Sequence, residues 1–551
     1  MKKYLQQKVG EALETLPYAR GVSPSFEHPK QEQHGDLTTN VALTLAKTAG
    51  KNPRAVAQEI VSALKVEPET VAKVDIAGPG FINFHFADSF FTRSLAEILS
   101  GGEEFGKSDD GGGKKTQVEF VSANPTGPLS VGHGRQAAIG DTVATLLEWT
   151  GHDVTREYYY NNAGRQMRKL AESTLARYRQ LFDGSVGFPD DGYQGEYIKD
   201  IAEYLKKERG EKLRKLPEEE ALTICQEVSE RILFEAIKAV LARMGITFDV
   251  FFNEDSLYKG TIGEVVEEFR KRDLAYDKDG AVWLRTTALG LEQDRVIVKS
   301  TGEPTYRLPD IAYHREKFRR GFELIVDIFG ADHIATFPDV LAGVKALDYD
   351  TGKVKVVIHQ FVTLMRDGQQ VKMSKRAANF VTLEELIDEV GSDAVRFFFV
   401  MRSVSSHLEF DLNLAKEQSE KNPVYYLQYA HARIASILRF AETELSLKEG
   451  EASRLRGANP SLLKEESEVA LAKILLGFPE TVQAAAANFE PHWLPAYLGT
   501  VAAAFHRFYH DHRVVTPDRE LSLARLSLCR ACQIVLANGL KILGISAPDR
   551  M

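Results

Sequence analysis

Ser122-Ala123-Asn124-Pro125-Thr126-Gly127-Pro128-Leu129-Ser130-Val131-Gly132-His133-Gly134-Arg135 is the stretch on which the fold turns. A β-rich run at residues 117–121 precedes it. Behind it, residues 135–149 carry helical periodicity, with Ala138, Ile139, Val143, Leu146 and Leu147 on one face. A second strand is predicted over residues 154–160. Strand, loop, helix and strand form the unit that builds parallel sheets, which take ligands at the carboxyl ends of their strands. The loop suits an anion. Amides at a helix N-terminus favour negative charge. Gly132 and Gly134 permit a nucleotide to approach closely, and His133 can donate to a phosphate oxygen.

Working outward, residues 1–90 read as a small α+β unit. It opens with a helical pattern and a loop holding His34-Gly35-Asp36, and helical stretches follow from 38 to 64. Two strands then meet across Gly78-Pro79-Gly80. Residues 109–115, Asp-Asp-Gly-Gly-Gly-Lys-Lys, are predicted to be a flexible surface break. The sheet domain is expected over 110–415, with a charged helical insertion at 161–245 that a Gly/Pro/Asp loop interrupts at 184–195. Strand signals return at 281–284, 295–298, 324–329 and 354–358, and two helical stretches at 382–415. Residues 420–551 are nearly all helical in pattern and read as a bundle. The predicted class is α/β: a Rossmann-like parallel-sheet domain with an N-terminal α+β domain and a C-terminal all-α bundle.

Composition excludes several classes. The chain has 551 residues, 44% apolar and 27% charged, which is ordinary for a globular protein and not for a disordered one. No run of about 18 uncharged apolar residues occurs, so no membrane span is expected. The opening Met1-Lys2-Lys3-Tyr4-Leu5-Gln6-Gln7 lacks the apolar core of a secretory signal, and a cytoplasmic protein is expected. Three cysteines, Cys225, Cys529 and Cys532, are too few for a disulfide scaffold or a multi-cysteine zinc site. The Cys529/Cys532 pair reads as helix packing, and His85, His152, His359 and His407 show no ligand spacing, so no metal site is expected. A net charge of −9 argues against non-specific coating of nucleic acid, yet local basic patches can hold a structured RNA.

A second motif lies about 240 residues downstream. Val371-Lys372-Met373-Ser374-Lys375-Arg376 follows the turn Arg366-Asp367-Gly368-Gln369. Its three cations can stabilise charge developing on triphosphate oxygens.

Together the two strings resemble the HIGH and KMSKS signatures of class I aminoacyl-tRNA synthetases, and the wording of the first resembles the arginyl enzymes of bacteria. Further stretches agree: Glu157-Tyr158-Tyr159-Tyr160-Asn161-Asn162-Ala163-Gly164; Tyr306-Arg307-Leu308-Pro309-Asp310; the aromatic-basic run of residues 505–514; and His34-Gly35-Asp36 with Asn40. The resemblance spans essentially the whole chain. It implies ligation of L-arginine to tRNA(Arg) with ATP, through an arginyl-adenylate, giving AMP and pyrophosphate. Mg2+ would accompany ATP. It also implies a monomer, and arginine activation only after tRNA has bound.

The resemblance also implies site residues. His133, Lys372, Lys375 and Ser130 are the expected catalytic set. Gly132, His133, Gly134, Met373, Ser374 and Lys375 are expected at ATP. The arginine pocket maps to Ser122, Asn124, His133, Tyr306, Asp310 and Asp332. Glu119, Asp310 and Asp332 are the carboxylates suited to a planar guanidinium. Glu119 has an alternative, to hold Arg135 or Lys372. In the bundle, Tyr425, Arg433, Arg507, Tyr509 and Arg513 combine aromatic faces with cations, as an unpaired anticodon loop would need. Two positions depart from the signatures: Ser130 replaces the first His, and Arg376 the final Ser. Two other readings are weighed, another class I synthetase and a non-catalytic tRNA-binding relative. The cysteines cannot build the zinc site of a cysteinyl enzyme, 551 residues cannot hold the editing insertions of the branched-chain enzymes, and the retained signature residues argue against lost catalysis.

Overall fold

A five-stranded parallel sheet organises the chain in the computed structural model, which describes residues 1–371, 381–447, 455 and 458–551. Before it comes a three-stranded antiparallel sheet, β1 (Leu37–Thr39), β2 (Val71–Ala77) and β3 (Phe81–Phe86), in the order β1-β3-β2. Residues 38 and 39 were expected to be helical, but they lie in β1. Leu37 and Thr39 are buried, with Leu37 paired to Phe84, and the helix starts only at Val41. Gly35 has φ +87°, and a Cβ there would meet the Phe84 carbonyl at 2.5 Å, so the His34-Gly35-Asp36 loop needs its glycine. Asp36 accepts from the Phe86 N–H (2.7 Å).

The parallel sheet opens with β4 (Lys115–Glu119), crosses over through the helix Val131–Trp149, and continues with β5 (Asp153–Tyr160) and β6 (Val250–Asn253). The helices Gly164–Gln180, Glu196–Arg209 and Glu218–Arg243 stand between β5 and β6 and have their own core around Leu170, Ile201 and Cys225. The signals at 281–284 and 295–298 do not extend the parallel sheet. They are β8 (Ala281–Leu284) and β9 (Arg295–Val298), which join β7 (Ala275–Lys278) in a separate antiparallel sheet. Only β10 (Leu324–Gly330) and β11 (Val354–His359) return, giving the order β11-β10-β4-β5-β6. The chain therefore leaves β4 on one side and comes back on the other. A ligand crevice is expected at the carboxyl ends of the strands beside such a switch point.

Residues 109–115 are not a loose break. Gly111 N–H donates to Thr150 O (2.7 Å) and Gly113 N–H to Gly151 O (2.8 Å), so the loop is tied to the end of the crossover helix. The helical reading of 382–415 is interrupted too. Between the helices Leu383–Val390 and Ser392–Val400 and the short helix Leu412–Lys416 lies β14 (Leu408–Asp411). It pairs in parallel with β12 (Val362–Arg366), which turns at Asp367-Gly368 into β13 (Gln369–Gln370).

From Pro423 onward the chain is helical among the described residues. The stretch Glu466–Asn488 is long and apolar enough by composition to cross a membrane. Here it is two helices, Glu466–Leu475 and Phe478–Asn488, and Leu471, Leu475, Phe478 and Val482 are buried in the bundle. Cys529 and Cys532 are also buried core residues. Polar contacts join the bundle to the rest of the chain. Lys473 pairs with Asp36, Lys2 with Glu480, and Asn538 donates to the carbonyls of Gly102 and Phe105 (2.9 Å each).

Candidate active site

The site begins where β4 stops. The predicted strand ran to 121, but the ladder ends at Glu119. Val121 (φ +69°) and Ser122 (φ +44°) are then forced into left-handed backbone. Neither is glycine, so the turn is strained, and its neighbours hold it. Ser122 Oγ donates to Glu119 (2.9 Å) and accepts from the Tyr159 N–H (3.2 Å). Ala123 exchanges hydrogen bonds with the Tyr158 hydroxyl: N–H to OH at 3.2 Å and OH to carbonyl at 2.8 Å. Asn124 Oδ1 accepts from the Asn161 N–H (2.9 Å), and its amide donates to Gln166 (3.0 Å).

The crossover helix begins at Val131, four residues earlier than its apolar periodicity indicated. Ser130 is the N-cap. Its Oγ accepts from the His133 N–H (3.5 Å), and His133 Nδ1 accepts from the Ser130 N–H (3.1 Å), a capping box. A Cβ on Gly132 would meet only Ser130 Oγ, at 3.7 Å, so its face is open. Gly134 differs: a Cβ there would lie 2.5 Å from Leu383 and 2.9 Å from Phe399, so this glycine lets the helix pack on its neighbours. Arg135 does not pair with Glu119. Its guanidinium is buried and donates to the carbonyls of Gln360 (2.7 Å), Ser406 (3.0 Å) and Ser403 (3.1 Å). Lys372, Met373, Ser374 and Lys375 lie outside the described residues, as does Arg376.

Beneath the loop runs a row of acids. Glu119 is the register partner of Asp327 on β10 and of Glu157 on β5. All three are buried. The helix Arg307–Arg319 and the residue after it cover that row with cations. Lys317 Nζ lies 2.6 Å from both Glu119 and Asp327, and Arg320 grips Glu157 at 2.6 and 2.8 Å. His314 reaches Asp327 (3.0 Å), and Tyr313 donates to Glu157 (2.6 Å). Glu119 is thus already ion-paired, and by Lys317, which the sequence reading did not single out. Asp327 was legible as an anomaly, a carboxylate within the apolar run of β10. Its partner seven residues beyond Asp310 on a helix was not.

Asp310 sits one turn into that helix. Burial, with Glu119 and Glu254 adding repulsion, raises its carboxyl to about 7 against the pull of His314 and Lys317. A carboxyl so placed gains most from a bound cation. Tyr306 caps the helix one turn away, and its ring is 86% exposed at the rim. Asp332 follows β10 in a short exposed turn at the same sheet edge. The fold therefore gathers Glu119, Ser122, Asn124 and Asp310 around the end of β4. Tyr306 and Asp332 stand at the periphery.

In the bundle, Tyr425 stacks on Tyr429 (6.3 Å, 8°), and the Arg433 guanidinium lies over the rings of Tyr429 (5.1 Å) and Tyr509 (5.7 Å). Arg507 and Arg513 are exposed nearby in sequence.

This arrangement offers an anion the open face of Gly132 at the start of the crossover helix, and a cation the carboxyl of Asp310. Three family profiles match the chain in order: arginyl tRNA synthetase N terminal domain at residues 3–86, tRNA synthetases class I (R), catalytic domain at 94–402, and DALR anticodon binding domain at 427–551. The chain belongs to the arginyl-tRNA synthetase family. Among arginyl-tRNA synthetases, the arginine–tRNA ligase of Desulfotalea psychrophila is 55% identical over 96% of this chain and 94% of its own length. That of Salinibacter ruber is 48% identical over the whole of both chains. The solved Thermus thermophilus arginyl-tRNA synthetase shares the fold, with a TM-score of 0.76 at 24% identity and full coverage of both chains.

Proposed function

We infer that this chain ligates L-arginine to tRNA(Arg) with ATP, through an arginyl-adenylate, releasing AMP and pyrophosphate. The observation that carries the reading is the match to the class I arginyl catalytic profile over residues 94–402, within which the loop after β4 leads to the helix capped by Ser130. The guanidinium of arginine docks on Asp310, with Glu119 behind it and Tyr306 closing the rim. Ser122 lines the pocket wall, and Asp332 stands at its rim. Asn124 holds the α-amino or carboxylate end. The substrate carboxylate then points at the α-phosphate of ATP, which rests at the open face of Gly132 and against the His133 side chain, since the His133 and Gly134 amides already donate to Ser130. No protein nucleophile is required. Alignment and charge stabilisation supply the rate. His133, Lys372 and Lys375 neutralise the charge that gathers on the phosphate oxygens, and Met373 and Ser374 bind ATP with them. Mg2+ would accompany ATP, and no step runs through it.

Three units divide the work in this reading: residues 1–90 touch the tRNA body, 110–415 perform the chemistry, and 420–551 read the anticodon through Tyr425, Arg433, Arg507, Tyr509 and Arg513. The enzyme acts as a cytoplasmic monomer without a membrane partner. Charging of purified tRNA(Arg) tests the reading. Arginine alone among the amino acids should be attached, and His133→Ala should lower kcat by about 100-fold or more while tRNA binding stays intact. Attachment of a different amino acid would sink it.

A further inference from the structure

The helical insertion between β5 and β6 reaches back onto the signature loop at two points. Gln166, on its first helix, accepts from the Asn124 amide (3.0 Å). Tyr197, on its second, donates its hydroxyl to the Thr126 carbonyl (3.0 Å). The tyrosine ring is seated closely. A Cβ on Gly127 would lie 3.0 Å from the Tyr197 hydroxyl and 3.2 Å from the ring carbon that bears it, and a Cβ on Gly195 would run into the same edge of the ring nearer its root. A side chain at 127 would therefore press on the ring, which would have to give by a few tenths of an ångström.

The loop between Ala123 and Leu129 contains Pro125 and Pro128 and pairs with no strand. One side of it, Ala123, is clamped to the sheet by Tyr158. The other side, Thr126, is clamped by Tyr197. Asn124 stands between the two clamps. The insertion has a core of its own, while Ile237, Val240 and Leu241 at the end of its last helix join the main core, and the Gln166 and Tyr197 contacts carry its position to the loop.

We propose that Tyr197 is a positioning residue for arginine: through Thr126 and Gly127 it fixes the loop that presents Asn124, and so makes arginine affinity depend on how the helical insertion is seated. The inference rests on the reading that Asn124 holds the amino acid.

Steady-state kinetics of arginine-dependent ATP–pyrophosphate exchange, in the full-length chain with tRNA(Arg) present, test it. Tyr197→Phe keeps the ring and loses one hydrogen bond, and should raise the arginine KM by about threefold to tenfold. Tyr197→Ala loses both clamp and packing and should raise it further. In both, kcat and the ATP KM should stay within about twofold of the parent enzyme, because the helix N-terminus is untouched. A residue that merely stabilises the insertion would lower Tm and weaken both substrates together. Should Tyr197→Ala fail to fold, Gly127→Ala displaces the loop from the ring without opening a cavity, and is expected to raise the arginine KM as well. Unchanged arginine KM in Tyr197→Phe and Gly127→Ala, or equal losses for ATP and arginine, would overturn the proposal. Asn124→Ala separates the two claims. If it leaves the arginine KM unaltered, the reading of Asn124 fails, whatever the Tyr197 variants do.

Discussion

Glu119 and Asp327 are register partners on adjacent parallel strands and share a single ammonium, Lys317, 2.6 Å from each. Two buried carboxylates side by side would repel, and the lysine between them removes that cost. Burial alone would raise the Asp327 carboxyl, but Lys317 and His314 bring it below its ordinary value. The row of acids on the sheet is therefore ion-paired before a substrate arrives, whereas Asp310 and its neighbour Glu254, which accepts from the Tyr159 and Tyr258 hydroxyls (2.7 and 3.0 Å), are the carboxyls left to answer a guanidinium.

Removing Lys317 should expose that cost. Lys317→Met leaves two buried acids with one cation fewer and should destabilise the fold by about 3–5 kcal/mol. Chemical denaturation measures it. A loss under about 1 kcal/mol would mean that the acids take up protons or water without penalty. Neutralising both partners as well, with Glu119→Gln and Asp327→Asn, should recover much of the stability.

Asp310 should make arginine binding pH-dependent. Its carboxyl is raised to about 7, so below that value it is largely neutral and must lose a proton to pair with the guanidinium. The arginine KM should fall as pH rises from 6 to 8, while the ATP KM follows no such trend. Asp310→Asn should remove the slope and raise the KM by about 100-fold, the order expected for a charge-assisted bidentate pair. A flat profile in the parent enzyme would show that Asp310 is ionised throughout.

Ser130 replaces the first signature histidine, and the structure gives it a task of its own. As N-cap its Oγ accepts from the His133 N–H and also lies 3.2 Å from His133 Nδ1, so the hydroxyl helps to orient the imidazole beside the backbone bond from the Ser130 N–H. Ser130→Ala should cost about 1 kcal/mol of stability and lower kcat with little change in the arginine KM. Thermal melts and exchange kinetics on one preparation read both effects. A variant with the parent's Tm and kcat would deny the cap any part in placing His133.

How far these features were legible in the sequence depends on whether a local pattern carried them. The strand–loop–helix–strand unit was plain because its residues alternate and repeat within one window. β1 was missed because three residues cannot show a period, and Leu37–Thr39 form a strand only by pairing with β3. Asp109 to Lys115 looked flexible because glycines are ambiguous. Here they let the loop lie against Gly151 and His152. Gly132 and Gly134 are equivalent in the sequence, yet one faces open space and the other packs on Leu383 and Phe399. Tyr197 and Lys317 carry no motif at all. Their roles arise only when the insertion and the helix Arg307–Arg319 are folded onto the sheet.

The tyrosine–arginine stack of the bundle should act on tRNA alone. Arg433→Ala removes the cation that bridges Tyr429 and Tyr509, and should raise the KM for tRNA(Arg) by roughly tenfold, within the range of one lost stacking or cationic contact. The arginine and ATP KM values should not follow. Equal losses for all three substrates would mean that Arg433 only supports the bundle.

The most direct measurement is ATP–pyrophosphate exchange with each of the twenty amino acids, with and without tRNA. Exchange with arginine alone, and only when tRNA is present, is the expected result. Exchange driven by another amino acid would contradict the assignment of the pocket around Asp310, and no exchange with any of them, tRNA binding being intact, would contradict catalysis itself.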